Sequence, residues 1–245
     1  YALFVLRRGS NSTINNLFHL RVQPQPSVLQ TPFPFMELTV PYLRNRSFES
    51  SLGQLSKIGQ STSYTSYLTN YQSDGLKING QLTVPTGDVP DGGWPAVVFI
   101  HGYIPPTLYK TLVNYSTYVD YLAKNGFVVL KVDLRGHADS QGSASGAYYS
   151  GDYVVDALNA RAALALADFV NPNKIGLWGH SMAGNVTFRS FVARQDIPAL
   201  VIWAGAGYSY EDFRSFGLSD NSYRPPEGDT ERARKRKELF DKYGE

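Results

Sequence analysis

Short apolar stretches recur along the chain between segments of helical period, and their order predicts a fold. Residues 64–71 and 76–84 are rich in β-forming side chains and flank Ser73-Asp74-Gly75, the signature of a hairpin. Residues 96–100 are a continuous apolar run suited to a buried parallel strand, and residues 127–132 read as another buried strand. Residues 111–125 place Tyr115, Tyr118, Val119 and Leu122 at the spacing of a helix face. Residues 149–169 do the same with Val154, Leu158, Ala162, Ala165 and Phe169. A strand at 175–178, a helix at 183–194 and a strand at 199–204 follow. Alternation with short joints predicts an α/β fold: a mostly parallel sheet with helices on both faces and an N-terminal hairpin at its entry edge. Function in such sheets gathers at the carboxyl ends of the strands, just after Ile100, Val132 and Trp178.

Residues 1–60 lack this alternation. Gln23-Pro24-Gln25-Pro26 and Thr31-Pro32-Phe33-Pro34 read as extended linker, and residues 44–60 are polar with no sustained period. The expected organisation is a lead-in over 1–60, a core over 61–207 and cap or lid helices over 208–245. The apolar start, Ala2 to Leu6 before Arg7-Arg8, reads either as a short strand or leader, or as the tail of an anchor or signal segment upstream of residue 1. Those features lean towards an exported or membrane-anchored protein.

Composition narrows the chemistry. A formal net charge of +2 gives no global field for nucleic acid. With no cysteine there is neither a disulfide framework nor a thiolate nucleophile. The four histidines, His19, His101, His137 and His180, form no helical ligand pair, so no metal site is expected.

Gly179-His180-Ser181-Met182-Ala183-Gly184 lies between a strand and a helix, the context of a nucleophile elbow. Its sharp turn lifts the serine hydroxyl above the sheet edge. It also needs very small residues two before and two after, here Gly179 and Ala183, with Gly184 beside them for relief. Gly59-Gln60-Ser61, Gly207-Tyr208-Ser209 and Gly217-Leu218-Ser219 open alike but have neither Gly nor Ala in the fifth position. Acyl transfer also needs donors aimed at the developing oxyanion. Met182 N–H is one candidate; Tyr103, after His101-Gly102, is the other, with Gly102 allowing close backbone approach. His101 reads as a loop-stabilising residue and not as a base. The cluster Asp133-Leu134-Arg135-Gly136-His137-Ala138-Asp139-Ser140 reads as a salt-bridged turn at the rim of the site.

The ordered set of hairpin, His101-Gly102-Tyr103, Asp133-x-Arg135-Gly136-His137 and Gly179-His180-Ser181 resembles the prolyl-oligopeptidase-like branch of the α/β-hydrolases, with dienelactone-hydrolase-like and acetyl xylan esterase-like enzymes as near relatives. The likeness spans about residues 60–207. It implies an α/β-hydrolase fold, cleavage of a small-molecule ester or peptide substrate through an acyl-enzyme on Ser181, and no cofactor. Tyr103 serves the oxyanion through its side chain in the peptidases and through its backbone in the esterases.

One part of the pattern is missing. The fold runs nucleophile, acid, histidine, yet no histidine follows Ser181. Glu211, Asp212 and Asp220 follow it but fall in the expected cap, which ends in a basic stretch from Asp229 to Tyr243. A sequence truncated inside the cap, with the last strands of the fold absent, accounts for this. The competing expectation is a binding protein on a hydrolase scaffold that has lost its base.

Overall fold

The computed structural model describes residue 36, residues 39–144 and 150–205, and the backbone of residues 3–7. The expected cap, with Glu211, Asp212 and Asp220, lies outside these residues, as does most of the Pro-rich lead-in.

The hairpin forms as the turn chemistry dictates. Strands β3 (Tyr64–Ser73) and β4 (Leu76–Pro85) pair in register from Tyr64 with Pro85 to Ser73 with Leu76. Asp74 and Gly75 alone make the turn, at φ 54° and 75°, a left-handed pair that matches the twist of the strands.

Three further strands are β5 (Trp94–Ile100), β6 (Val128–Val132) and β7 (Val170–His180). Two more, β8 (Ala199–Trp203) and β2 (Ser56–Gln60), join them, and the backbone of β1 (Leu3–Arg7) completes an eight-stranded sheet. Its order is β1-β8-β7-β5-β6-β4-β3-β2. The parallel part is the centre, β8-β7-β5-β6. β1 closes one side antiparallel, and β4, β3 and β2 the other.

Alternation along the central strands sends side chains to two cores. Ala96, Val98, Ile100, Val128, Leu130, Val132, Ile175 and Leu177 pack beneath α3 (Asp152–Ala165) and α4 (Met182–Ala193). Phe99, Val129 and Trp178 pack on the opposite face with Val119 of α2 (Ser116–Lys124). Helices therefore cover both faces, and the architecture is the α/β-hydrolase fold.

Several elements differ from the periodic pattern, among them β7, which begins at Val170 and not at 175. The helix expected over 111–125 begins only at Ser116, because Tyr115 takes the left-handed conformation at φ 61°, ψ 15° and breaks the turn before it. The helix expected over 149–169 ends at Ala165, and Phe169 lies in the turn that follows, its carbonyl accepting Trp94 N–H at 2.9 Å. Residues 40–60 contain two elements the pattern did not announce. Helix α1 (Val40–Asn45) is capped by Thr39 Oγ1, which accepts Tyr42 N–H, and drives Leu43 into the core with no exposed surface. β2 is a fully exposed edge strand.

Candidate active site

The turn from β7 into α4 is built on Ser181, which sits at φ 51°, ψ −119°. A non-glycine residue holds such a conformation only when its surroundings enforce it, at a cost of about 1–3 kcal/mol. Two hydrogen bonds do so here: Ser181 N–H donates to Trp203 O at 3.0 Å, and Gly184 N–H to Ser181 O at 2.8 Å. A Cβ on Gly179 would lie 2.5 Å from Ala183 O and 2.2 Å from Thr187 Oγ1, so the chain before the turn touches the helix after it. Ala183 and Gly184 are both buried, and the single methyl of Ala183 is accommodated. Met182 opens α4, so its N–H is among the first-turn donors that have no intrahelical carbonyl.

The loop after β5 meets this turn. Gly102 is wedged against it: a Cβ there would lie 2.8 Å from Tyr115 Oη, 3.0 Å from His180 O and 3.1 Å from His180 Nδ1. Gly102 N–H donates to Tyr115 Oη at 3.0 Å, and Tyr115 Oη lies 2.7 Å from His180 Nδ1. Tyr103, next along, is 49% exposed. His180 is half-buried, with its ring 4.6 Å from that of Trp203, and desolvation lowers its pKa. Among the described residues no side chain hydrogen-bonds Ser181 Oγ; neither His101, His137 nor His180 serves it.

Beneath these loops lies a buried polar layer. His101 is fully buried, with Nδ1 2.7 Å from Gly102 O, and its ring is 4.3 Å from Tyr109 and 4.7 Å from His137. Desolvation, with the His137 ring beside it, lowers its pKa to about 3, so the imidazole is neutral. Asp133 accepts from Tyr109 Oη at 2.7 Å and Thr111 Oγ1 at 2.5 Å. Burial still raises its pKa to about 6. Lys131 is buried too and donates to the carbonyls of Thr111 and Asn114, its pKa lowered by desolvation to about 8.

The cluster after Val132 is a salt-bridged turn, but its partners are distant in sequence. Arg135 pairs with Asp156 of α3, Nη2 to Oδ1 at 2.7 Å and Nε to Oδ2 at 3.0 Å. It also reaches Asp152 at 3.3 Å and Asp74 of the hairpin turn at 3.4 Å. Asp156 had no signal in the periodicity, being an acid inside an apolar helix. Tyr115 was legible only as one more apolar position. Among the described residues no three acidic or histidine side chains gather where a metal ion could sit.

The chain is similar to known proteins in sequence family and in fold. The family described as Serine aminopeptidase, S33, matches residues 95–216. Among solved structures, acetyl xylan esterase 1 from Thermoanaerobacterium sp. JW/SL YS485 is similar with a TM-score of 0.54 and 16% identity over 83% of this chain and 64% of that one. An acetyl xylan esterase from Paenibacillus sp. R4 gives 0.51 and 19% over 64% and 54%, respectively. A hypothetical protein from Pseudomonas aeruginosa gives 0.52 and 20% over 77% and 58%. The chain thus spans between 54% and 64% of the length of these structures. At such identities the likeness is one of fold. The chain thus has the α/β-hydrolase fold and, over residues 95–216, is similar to the family described as Serine aminopeptidase, S33.

Proposed function

We propose that this chain is a serine hydrolase with Ser181 as its nucleophile. The observation that carries the reading is the Ser181 backbone, held at φ 51° between strand and helix by Trp203 O and Gly184 N–H. In the proposed reaction Ser181 Oγ attacks the substrate carbonyl while a histidine base from outside the described residues takes its proton. The carbonyl oxygen becomes an oxyanion facing the N–H groups of Tyr103 and Met182. Collapse expels the leaving group, which takes the proton from the base, and leaves an acyl-enzyme on Ser181. Water then attacks the acyl carbon, returning the proton to Ser181 and releasing the acid.

An ester is the preferred substrate class, since two of the structures sharing the fold are named acetyl xylan esterases. A peptide bond is the second reading, favoured by the family's description as a serine aminopeptidase and by the prolyl-oligopeptidase-like motif set.

The test is a fluorophosphonate probe on the full-length protein, with p-nitrophenyl acetate and an aminoacyl p-nitroanilide as substrates. Labelling that disappears in Ser181→Ala, with turnover of the acetate, is expected. Turnover of the anilide alone selects the peptidase. A folded but unlabelled protein points instead to a binding function on a hydrolase scaffold.

A further inference from the structure

The Tyr115 hydroxyl stands where the two loops of the candidate site meet. One loop presents Gly102 N–H to it at 3.0 Å; the other brings His180 Nδ1 to 2.7 Å. A phenol has one proton to give. It accepts from Gly102, and its own proton can go to His180 only if Nδ1 is unprotonated and the imidazole proton sits on Nε2, the tautomer assigned to His180 here. In that tautomer the bridge runs from Gly102 N–H to Tyr115 Oη–H to His180 Nδ1.

The surrounding structure holds this side chain in place at some cost. Tyr115 is left-handed at φ 61°, unusual for a bulky residue. The turn before it is pinned from below by the buried Lys131 ammonium on the carbonyls of Thr111 and Asn114. Asn114 Oδ1 also accepts Lys110 N–H at 2.7 Å. The ring stands edge-on to Phe99 at 5.5 Å and to Trp178 at 6.3 Å. Those contacts fix the hydroxyl against a glycine that has no room for a Cβ.

The residues it joins are the immediate neighbours of the site. Gly102 precedes Tyr103, and His180 precedes Ser181 and Met182. Gly102 N–H donates to the phenol, and the oxyanion donor of this loop in the proposed reaction is the next residue, Tyr103. We propose that Tyr115 is a positioning residue for the oxyanion hole, its hydroxyl setting the spacing between the loop bearing Tyr103 N–H and the turn bearing Met182 N–H. This rests on Ser181 being an acyl-transfer nucleophile. Tyr115 touches no reacting atom.

Tyr115→Phe keeps the ring and removes only the bridge. Loss of a direct oxyanion donor lowers kcat by about 10²–10³, and a displaced one is expected to cost about 10–100-fold. In the full-length protein, kcat for p-nitrophenyl acetate should fall by that factor while KM stays within about threefold. The ¹⁵N shifts of His180, held as the Nε2–H tautomer in the parent, should move to a tautomer mixture in the variant. His180→Leu and the double variant should each lose no more than Tyr115→Phe alone, because all three break one bridge. A kcat unchanged in a Tyr115→Phe protein whose His180 tautomer has become mixed overturns the positioning role. So do losses that multiply in the double variant, or a His180 spectrum unaffected by the substitution. A parent that neither labels nor turns over removes the serine-hydrolase reading itself, and the ¹⁵N spectrum still reports on the bridge. If Tyr115→Phe does not fold, the tautomer state of the parent decides: an Nδ1–H imidazole there overturns the assignment.

Discussion

Thr187 Oγ1 lies 2.2 Å from where a Cβ on Gly179 would stand, so the strand entering the elbow and the helix leaving it are packed without room for a methyl group. The alternation of β7 and the pitch of α4 set that distance. Ala183 O lies nearly as close, on backbone that cannot rotate away.

Gly179→Ala is therefore expected to destabilise the fold by about 1–3 kcal/mol, the range for overpacking a tight core. It should also abolish fluorophosphonate labelling of Ser181, because relief of the clash shifts the turn. Chemical denaturation and probe labelling check the two effects separately. An unchanged labelling rate would show that the close approach does not shape the turn at Ser181.

Asp156 satisfies Arg135 through its guanidinium and its backbone N–H, and also accepts Ser73 Oγ at 2.7 Å. Asp156→Ala leaves a buried guanidinium with only Asp152 and Asp74, both partly exposed. Removing one member of a buried pair costs about 3–5 kcal/mol. Urea midpoints should fall accordingly, and adding Arg135→Met to the same variant should recover part of the loss.

Leu43 sits on a short helix ahead of the sheet yet has no exposed surface. Leu43→Ala should cost about 2–5 kcal/mol, as for a core leucine. A loss under about 0.5 kcal/mol, the scale of surface substitutions, would mean that α1 contributes little to the fold. Thermal or urea unfolding decides it.

His101 titrates at about 3 when folded, against 6.5 for a free imidazole, chiefly through burial. A lowered folded pKa contributes stability that is present above pH 6.5 and is lost as pH falls from there towards 3. Across that window unfolding takes up one proton at this site, a slope of about 1.4 kcal/mol per pH unit. His101→Asn should flatten the acid limb by that slope. Stability curves at pH 7, 5.5 and 4.5 for parent and variant measure it. Parallel curves would place the acid sensitivity elsewhere, with His137 the next group to test.

The central strands and the tight turn at Ser181 were legible because each depends on local chemistry. The apolar run at 96–100 has few alternatives to a buried strand, and the Gly179-to-Ala183 spacing describes a turn complete within five residues. What escaped the pattern depends on partners far along the chain. β2 shows no alternation because both its faces are exposed, and only pairing with β3 makes it a strand. Asp156 meets Arg135 across 21 residues and Ser73 across 83. Tyr115 fits a helical stripe by spacing, but its backbone leaves the helix and its hydroxyl turns to His180, 65 residues on. Periodicity records which face is apolar; it carries no information about which polar atom ends up beside another.

The hairpin contains a safeguard against its own commonest error. Tyr71 and Ser73 lie on the same face of β3, and both end on Asp156, through its backbone oxygen at 2.9 Å and its carboxylate. A slip of β3 by one residue turns every one of its side chains to the opposite face. Both hydroxyls would then leave α3 together, exposing one helix carbonyl and stripping the carboxylate opposite Arg135. A mispaired sheet is thus penalised at a site remote from the pairing itself, and Asp156 acts as a proofreader of strand alignment.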